Sequence, residues 1–197
     1  MPVVARTRPY TYTYTRPSRI SGSGEMPFAL FPLSKLQLEQ LAASHEPQDL
    51  AVRAEHGAFP PPFVAARTLK LAAEAEPGPW STAFLIMRTE DLRVVGACGF
   101  KTGPKNGRVE VGYGVAPAAR GNGAATVALT LLAEIAFEAG VSEVLAEVLP
   151  ENKASIRVVQ KAGFARAGSR TDEDNEYVIQ WLCRRGTPRR VDSFGVA

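Results

Sequence analysis

The chain reads as an α+β protein, a mixed and mostly antiparallel sheet of about seven strands flanked by about four helices. Three observations predict it. From Trp80 to Val115, three runs rich in β-branched and aromatic residues follow one another, STAFLIMR, RVVGACGFK and RVEVGYGV, as in an antiparallel meander. Residues 124–139 have polar members only at Thr126, Thr130, Glu134 and Glu138, a four-residue spacing that leaves most of a helix surface apolar and therefore buried. EVLAEVL (Glu143 to Leu149) then reads as a central strand, and two further strand-like runs lie around Ala165 and from Glu176 to Arg184.

The remaining elements follow in order. Residues 1–24 alternate Thr and Tyr and pass into Ser-Gly-Ser-Gly, which reads as an unstructured arm or an added strand. Folding is expected to start near Met26, with Phe28 to Leu33 as the first strand. Ser34 can cap a helix whose Leu36, Leu38 and Leu41 supply apolar positions. A second helical region is expected around Ala51, and a third runs from Pro60-Pro61-Pro62 to about Glu76, before the Pro77-Gly78-Pro79 stop. Asn106-Gly107 forms part of the turn between the last two meander strands, and Gly140 ends the long helix. A capped helix from about Asn152 to Ala162, with Gly163 just past its end, completes the set.

Composition narrows the function classes. A chain of 197 residues suffices for one domain with a substantial core. There is no apolar run of about 18 residues and no apolar segment of signal-peptide type at the N-terminus, so the expectation is a cytoplasmic protein without a membrane partner. Cys98 and Cys183 belong to no Cys/His cluster, so no metal is expected and each should fill a strand as a small buried hydrophobe. The pI of about 9.0 comes from the ends. Residues 1–24 sum to +4 and residues 184–197 to +3, so with the whole chain at +3 the expected folded domain, residues 25–183, carries −4. A mildly acidic core with a basic arm and a basic tail does not require nucleic acid.

The chemistry concentrates at VAPAARGNGAA, Val115 to Ala125, where a strand runs through a small-residue turn into the long helix. Gly121 and Gly123 remove side-chain bulk, so backbone N–H groups and the positive helix end can receive a phosphate. Thr126 stands where a Rossmann turn needs its third glycine, and no Gly-Lys-Ser/Thr triplet follows Gly123. Both common nucleotide loops are thereby disfavoured.

Arg120-x-x-Gly123-x-Ala125 resembles the (Gln/Arg)-x-x-Gly-x-(Gly/Ala) pyrophosphate loop of the GNAT N-acetyltransferases, which use acetyl-CoA. A second match, Asn152-Lys153-Ala154-Ser155 followed by Lys161-Ala162-Gly163-Phe164, is similar to the family's second cofactor-contact helix and the Gly-Phe that closes it. The resemblance covers roughly residues 27 to 183, and Glu110 to Pro117 (EVGYGVAP) looks most like the branch that acetylates ribosomal-protein N-termini. It implies a GNAT fold with a splay between the fourth and fifth strands, acetyl-CoA as co-substrate, and the early helices as a wall of the acceptor site. The cofactor contacts implied are Val115, whose amide would bond the thioester oxygen, with Arg120, Gly121, Asn122, Gly123, Ala124, Ala125 and Asn152.

Proton transfer is the least typical part. Glu110 is the one acid in an apolar strand, and period-two alternation places it with Gly112 and Gly114 on one face, facing open space where substrate and water could sit. It is the candidate general base, with a solvent-facing residue or a structural ion pair as the alternative. Many family members carry a tyrosine seven residues after the asparagine; here that place is Val159, and Ser155 is the nearest hydroxyl by resemblance. The function implied is transfer of an acetyl group to a primary amine, a protein N-terminal α-amine or a small molecule. A weakly basic α-amine suits this minimal apparatus better than a lysine side chain. A non-catalytic acyl-CoA-binding domain and an RNA-associated protein acting through basic tails stand as alternatives, and a homodimer is left open.

Overall fold

The computed structural model describes residues 26–186. The arm at residues 1–24 lies outside the described residues, as does the tail at 184–197 apart from residues 184–186, of which Arg184 belongs to the last strand.

A single seven-stranded sheet organises the chain, in the order β1-β2-β3-β4-β5-β7-β6. Strand β1 (Phe28–Pro32) leads into α1 (Lys35–Ala42), α2 (Gln48–Ala51) and α3 (Pro62–Glu74). Then come β2 (Ala83–Arg88), β3 (Val94–Phe100), β4 (Arg108–Val115), α4 (Ala124–Glu138), β5 (Glu143–Val148), α5 (Lys153–Lys161), β6 (Ala165–Thr171) and β7 (Tyr177–Arg184). All neighbours pair antiparallel except β4 and β5, which are parallel because α4 crosses over between them. Five α-helices stand where about four were expected overall, and the helical region expected around Ala51 is the short α2.

Local chemistry explains the boundaries. Ser34 makes a full capping box on α1: Gln37 N–H donates to Ser34 Oγ at 3.3 Å, and Ser34 N–H donates to Gln37 Oε1 at 2.9 Å. Helix α3 opens with Pro62 in its first turn and stops at Glu74, two residues before the expected end, because Ala75 turns extended ahead of Pro77. Helix α4 buries Val127, Leu129, Leu132, Ile135 and Phe137. It packs against β1 to β5 and so anchors one face of the sheet. Cys98 and Cys183 are buried in β3 and β7. No helix among the described residues is long and apolar enough to cross a membrane.

Candidate active site

The site starts from a failure of strand pairing. β4 and β5 are in register only over Arg108–Glu110 and Glu143–Leu145, after which β5 stays with β7 and β4 stays with β3. This is the expected splay between the fourth and fifth strands. Lys101 N–H donates to the Glu110 carbonyl at 2.7 Å and Ala116 N–H donates to the Val95 carbonyl at 2.9 Å. Backbone groups alternate sides along a strand, so even-numbered β4 residues bond to β3 while those of Tyr113 and Val115 turn into the gap. The amide of Val115 therefore opens into the gap.

At the end of β4 the chain makes a tight 3-10 turn, Pro117–Ala119, and enters the glycine loop. Gly121 and Gly123 have φ of +86° and +85°, the left-handed region, and a Cβ on either would meet nothing within 4 Å. Gly123 is the N-cap of α4 and supplies no side-chain acceptor, so first-turn N–H groups of that helix remain available to an anion. Arg120 folds back, its Nε donating to the Val115 carbonyl at 3.1 Å. A cavity of about 600 Å³ lies against this loop and α5, lined by Val115, Arg120, Gly121, Gly123, Ala124, Ala125, Asn152 and Ser155 among others. Asn122 sits between the two left-handed glycines, exposed, and does not line it.

On α5, Asn152 caps the helix, Ser155 N–H donating to its Oδ1 at 3.0 Å. Val159 is fully buried, so the position that carries a tyrosine in many family members faces the core here. The phenol comes from elsewhere: the Tyr113 hydroxyl donates to the Ser155 carbonyl at 3.4 Å, across the splay. Burial pushes the Tyr113 phenol above its ordinary value, and the Ser155 contact pulls it partly back.

A second cavity, about 510 Å³, is walled by the segment from Gly57, by α3, and by β3 and β4. It shares Tyr113, Gly114, Val115 and Arg120 with the first. Two spaces thus meet at the end of β4. Gly114 faces open space, as the alternation predicts. No bulge accompanies it, since β3 and β4 stay in register from Gly96↔Val115 to Phe100↔Val111.

The expectation that Glu110 faces open space is corrected. Its Oε1 accepts from Lys101 Nζ at 2.6 Å, its side chain is 15% exposed, and its backbone N–H donates to Thr102 Oγ1 at 3.1 Å. The register that continues from Phe100↔Val111 brings Lys101 over the same face, and Lys101 also covers Gly112, whose Cβ would lie 3.5 Å from Lys101 Cε. The structural ion pair, one of the two alternatives for Glu110, is present.

Three side chains at the site are not among the candidate site residues. Tyr113 lies in the splay, and Phe63 and Arg67 project from α3 into the second cavity. Arg67 is a lone cation in the apolar stretch FVAAR, which is the only signal the sequence offers for it. Its Nε is buried without a hydrogen-bond partner. Burial draws its guanidinium below the ordinary value, opposed by the charge of nearby Glu110.

The profile of the acetyltransferase (GNAT) domain matches residues 30–165. The uncharacterized N-acetyltransferase YoaA of Bacillus subtilis (strain 168) is 28% identical over 113 residues, 56% of this chain and 59% of its own length. The chain thus spans under two thirds of that curated relative. Among solved structures, the ribosomal-protein-S5-alanine acetyltransferase from Vibrio fischeri superposes with TM-score 0.58 at 13% identity, over 82% of this chain and 94% of that one. The aminoglycoside acetyltransferase AAC(6')-Ib, in complex with Parmomycin and acetyl-CoA, gives 0.58 at 18% identity, over 86% and 100%. These two share the fold and are equally similar in shape, so the backbone does not favour one branch over the other. With a family profile covering most of its length and a splayed, glycine-looped sheet beneath it, the chain belongs to the GNAT acetyltransferase family.

Proposed function

We propose that the protein transfers the acetyl group of acetyl-CoA to a primary amine. The observation that carries this is the meeting of two cavities at Gly114 and Val115, one against an anion-receiving loop and one against α3. The first suits the cofactor: Gly121, Gly123 and the start of α4 receive the pyrophosphate, with Arg120, Ala124 and Ala125 around it and Asn152 at the neighbouring helix. Asn122 contributes through its backbone alone. The second cavity holds the acceptor.

In the proposed reaction the amine nitrogen attacks the thioester carbon directly, an N–C bond forms, and the C–S bond breaks. The Val115 N–H donates to the carbonyl oxygen as negative charge develops there. Fixing both reactants on either side of β4 contributes roughly 7–11 kcal/mol by proximity and orientation. The amine proton passes through an intervening water to Glu110, which lies behind Lys101 and not on the cavity wall, its Oε1 held by Lys101 and its Oε2 left to take the proton. The Tyr113 hydroxyl, rather than Ser155, supplies the proton to the departing thiolate, since its phenol lies in the splay and burial favours its protonated form. Arg67 and Lys101 set two cations against the one carboxylate, which disfavours an ammonium and favours the reactive neutral amine.

A turnover assay following free CoA release against peptide N-termini, amino acids, polyamines and aminoglycosides tests the proposal. Acetylated product from any of them supports it. Tight acetyl-CoA binding without turnover on any amine replaces it with a non-catalytic acyl-CoA-binding domain, the reading that Val159 favours.

A further inference from the structure

The acceptor cavity holds a guanidinium with a buried donor left unmet among the described residues. The acids near it are already engaged: Glu110 accepts from Lys101 at 2.6 Å, and Glu147 on β5 is gripped by Arg170 through two bonds of 2.7 Å and by Gln180 Nε2 at 2.9 Å. Among the described residues Arg67 has no such hydrogen-bonded acid, and Glu110 acts on it through its charge alone. Its Nε is buried and donates to nothing, although a guanidinium is a planar fork of donors whose burial is costly when they are left unmet. No acidic residue is among those that line the cavity, whereas Arg67, Lys101 and Arg120 all do.

Resting on the acetyltransferase reading above, we infer that the acceptor is a primary amine that also carries a carboxylate, which Arg67 binds while the amine points to Gly114. A carboxylate matches the guanidinium fork and neutralises the excess charge of the cavity. Phe59, Phe63 and Val64 on the same wall provide apolar surface for the rest of the acceptor, and Phe63 is 68% exposed, a large apolar side chain with nothing packed over it among the described residues. Polycationic acceptors are excluded by the same charges, because each extra ammonium would enter a cavity already positive. Free α-amino acids and peptides with an acidic residue beside their N-terminus both present this chemistry.

The test compares kcat/KM, per neutral amine, for leucine and phenylalanine against their amides, for Ala-Glu peptides against Ala-Gln peptides, and for spermidine. The acid member of one pair should exceed its neutral partner by about 10–100-fold, the usual value of a charge-assisted hydrogen bond, and which pair does so identifies the source. In Arg67→Gln that ratio should fall to about one while acetyl-CoA affinity by calorimetry is retained, and Arg67→Lys should restore part of it. A wild-type ratio near one in both pairs, preference for spermidine, or a ratio untouched by Arg67→Gln overturns the inference and leaves the transferase standing. If no amine is acetylated, the transferase proposal fails. Binding of N-acetyl-leucine and N-acetyl-leucinamide to the CoA-loaded protein then decides the inference: tighter binding of the acid supports it and equal binding overturns it.

Discussion

Gly96 pairs with Val115 across β3 and β4, and the strands lie so close that a Cβ on Gly96 would strike the carbonyl oxygen of the preceding Gly114. The contact is backbone on one side, so relief requires movement of β4 itself. Gly96→Ala should therefore destabilise the fold by about 1–3 kcal/mol, read by denaturant unfolding, and lower turnover by displacing Val115. Gly114 is the converse case. Its own Cβ direction is open, so Gly114→Val should leave stability within about 1 kcal/mol and still cut turnover about 10²-fold by filling the meeting point of the cavities.

The glycine loop gives a binding prediction. Gly123→Glu should abolish acetyl-CoA binding in calorimetry, because a side chain and a negative charge would stand where the pyrophosphate approaches the helix end. Strain at φ +85° adds a stability cost of about 1–2 kcal/mol, so circular dichroism must show the variant folded. Full affinity in a folded variant removes the cradle.

Proton transfer separates two residues by pH. Glu110→Gln should lower turnover about 10²–10⁴-fold near neutral pH, with the loss shrinking as pH rises and the amine becomes neutral in solution. Tyr113→Phe should cost about 10²-fold and more than Ser155→Ala, with acetyl-CoA affinity kept. Because burial holds the Tyr113 phenol above its usual value of about 10, the wild-type rate should not decline on the alkaline side until pH passes that point. A Tyr113→Phe enzyme with the wild-type rate assigns thiolate protonation to solvent.

Acid sensitivity should reside partly on β5. Burial pushes the Glu147 carboxyl up, but the Arg170 fork and the Gln180 amide outweigh it, so in the fold it lies below the ordinary value of 4.5. A depressed carboxyl contributes stability above its unfolded value that disappears as pH falls through the folded one. Arg170→Ala should lower stability at pH 7 and flatten the loss of stability below about pH 4.5, measured by urea titration across pH.

Much of this was legible because it is backbone chemistry. Ser34, Asn152, Gly123, Gly140 and Gly163 mark helix ends through capping needs that act within a few residues, and the buried stripe of α4 follows from four-residue spacing. The environment of Glu110 was not legible. A two-residue turn at Asn106-Gly107 would carry the pairing of Lys105 with Arg108 onward to set Lys101 opposite Gly112, yet Phe100 pairs with Val111. That slip of the hairpin moves Lys101 onto the carboxylate. Arg67 and Tyr113 escaped because their importance depends on what the sheet brings near them, across more than thirty residues in each case (Tyr113 to Ser155 and Arg67 to Glu110).

The three-residue pairing of β4 with β5 places an edge inside the sheet instead of at its rim. Amide protons are most slowly exchanged where strands are doubly bonded and covered, which in most sheets means the middle. Here Tyr113 and Val115 should exchange with solvent deuterium faster than residues of β3 or β7, so the middle of the sheet is leakier than the paired strands on either side of it. A ligand seated in the gap would act as the missing stretch of strand, and the sheet would become continuous only when loaded.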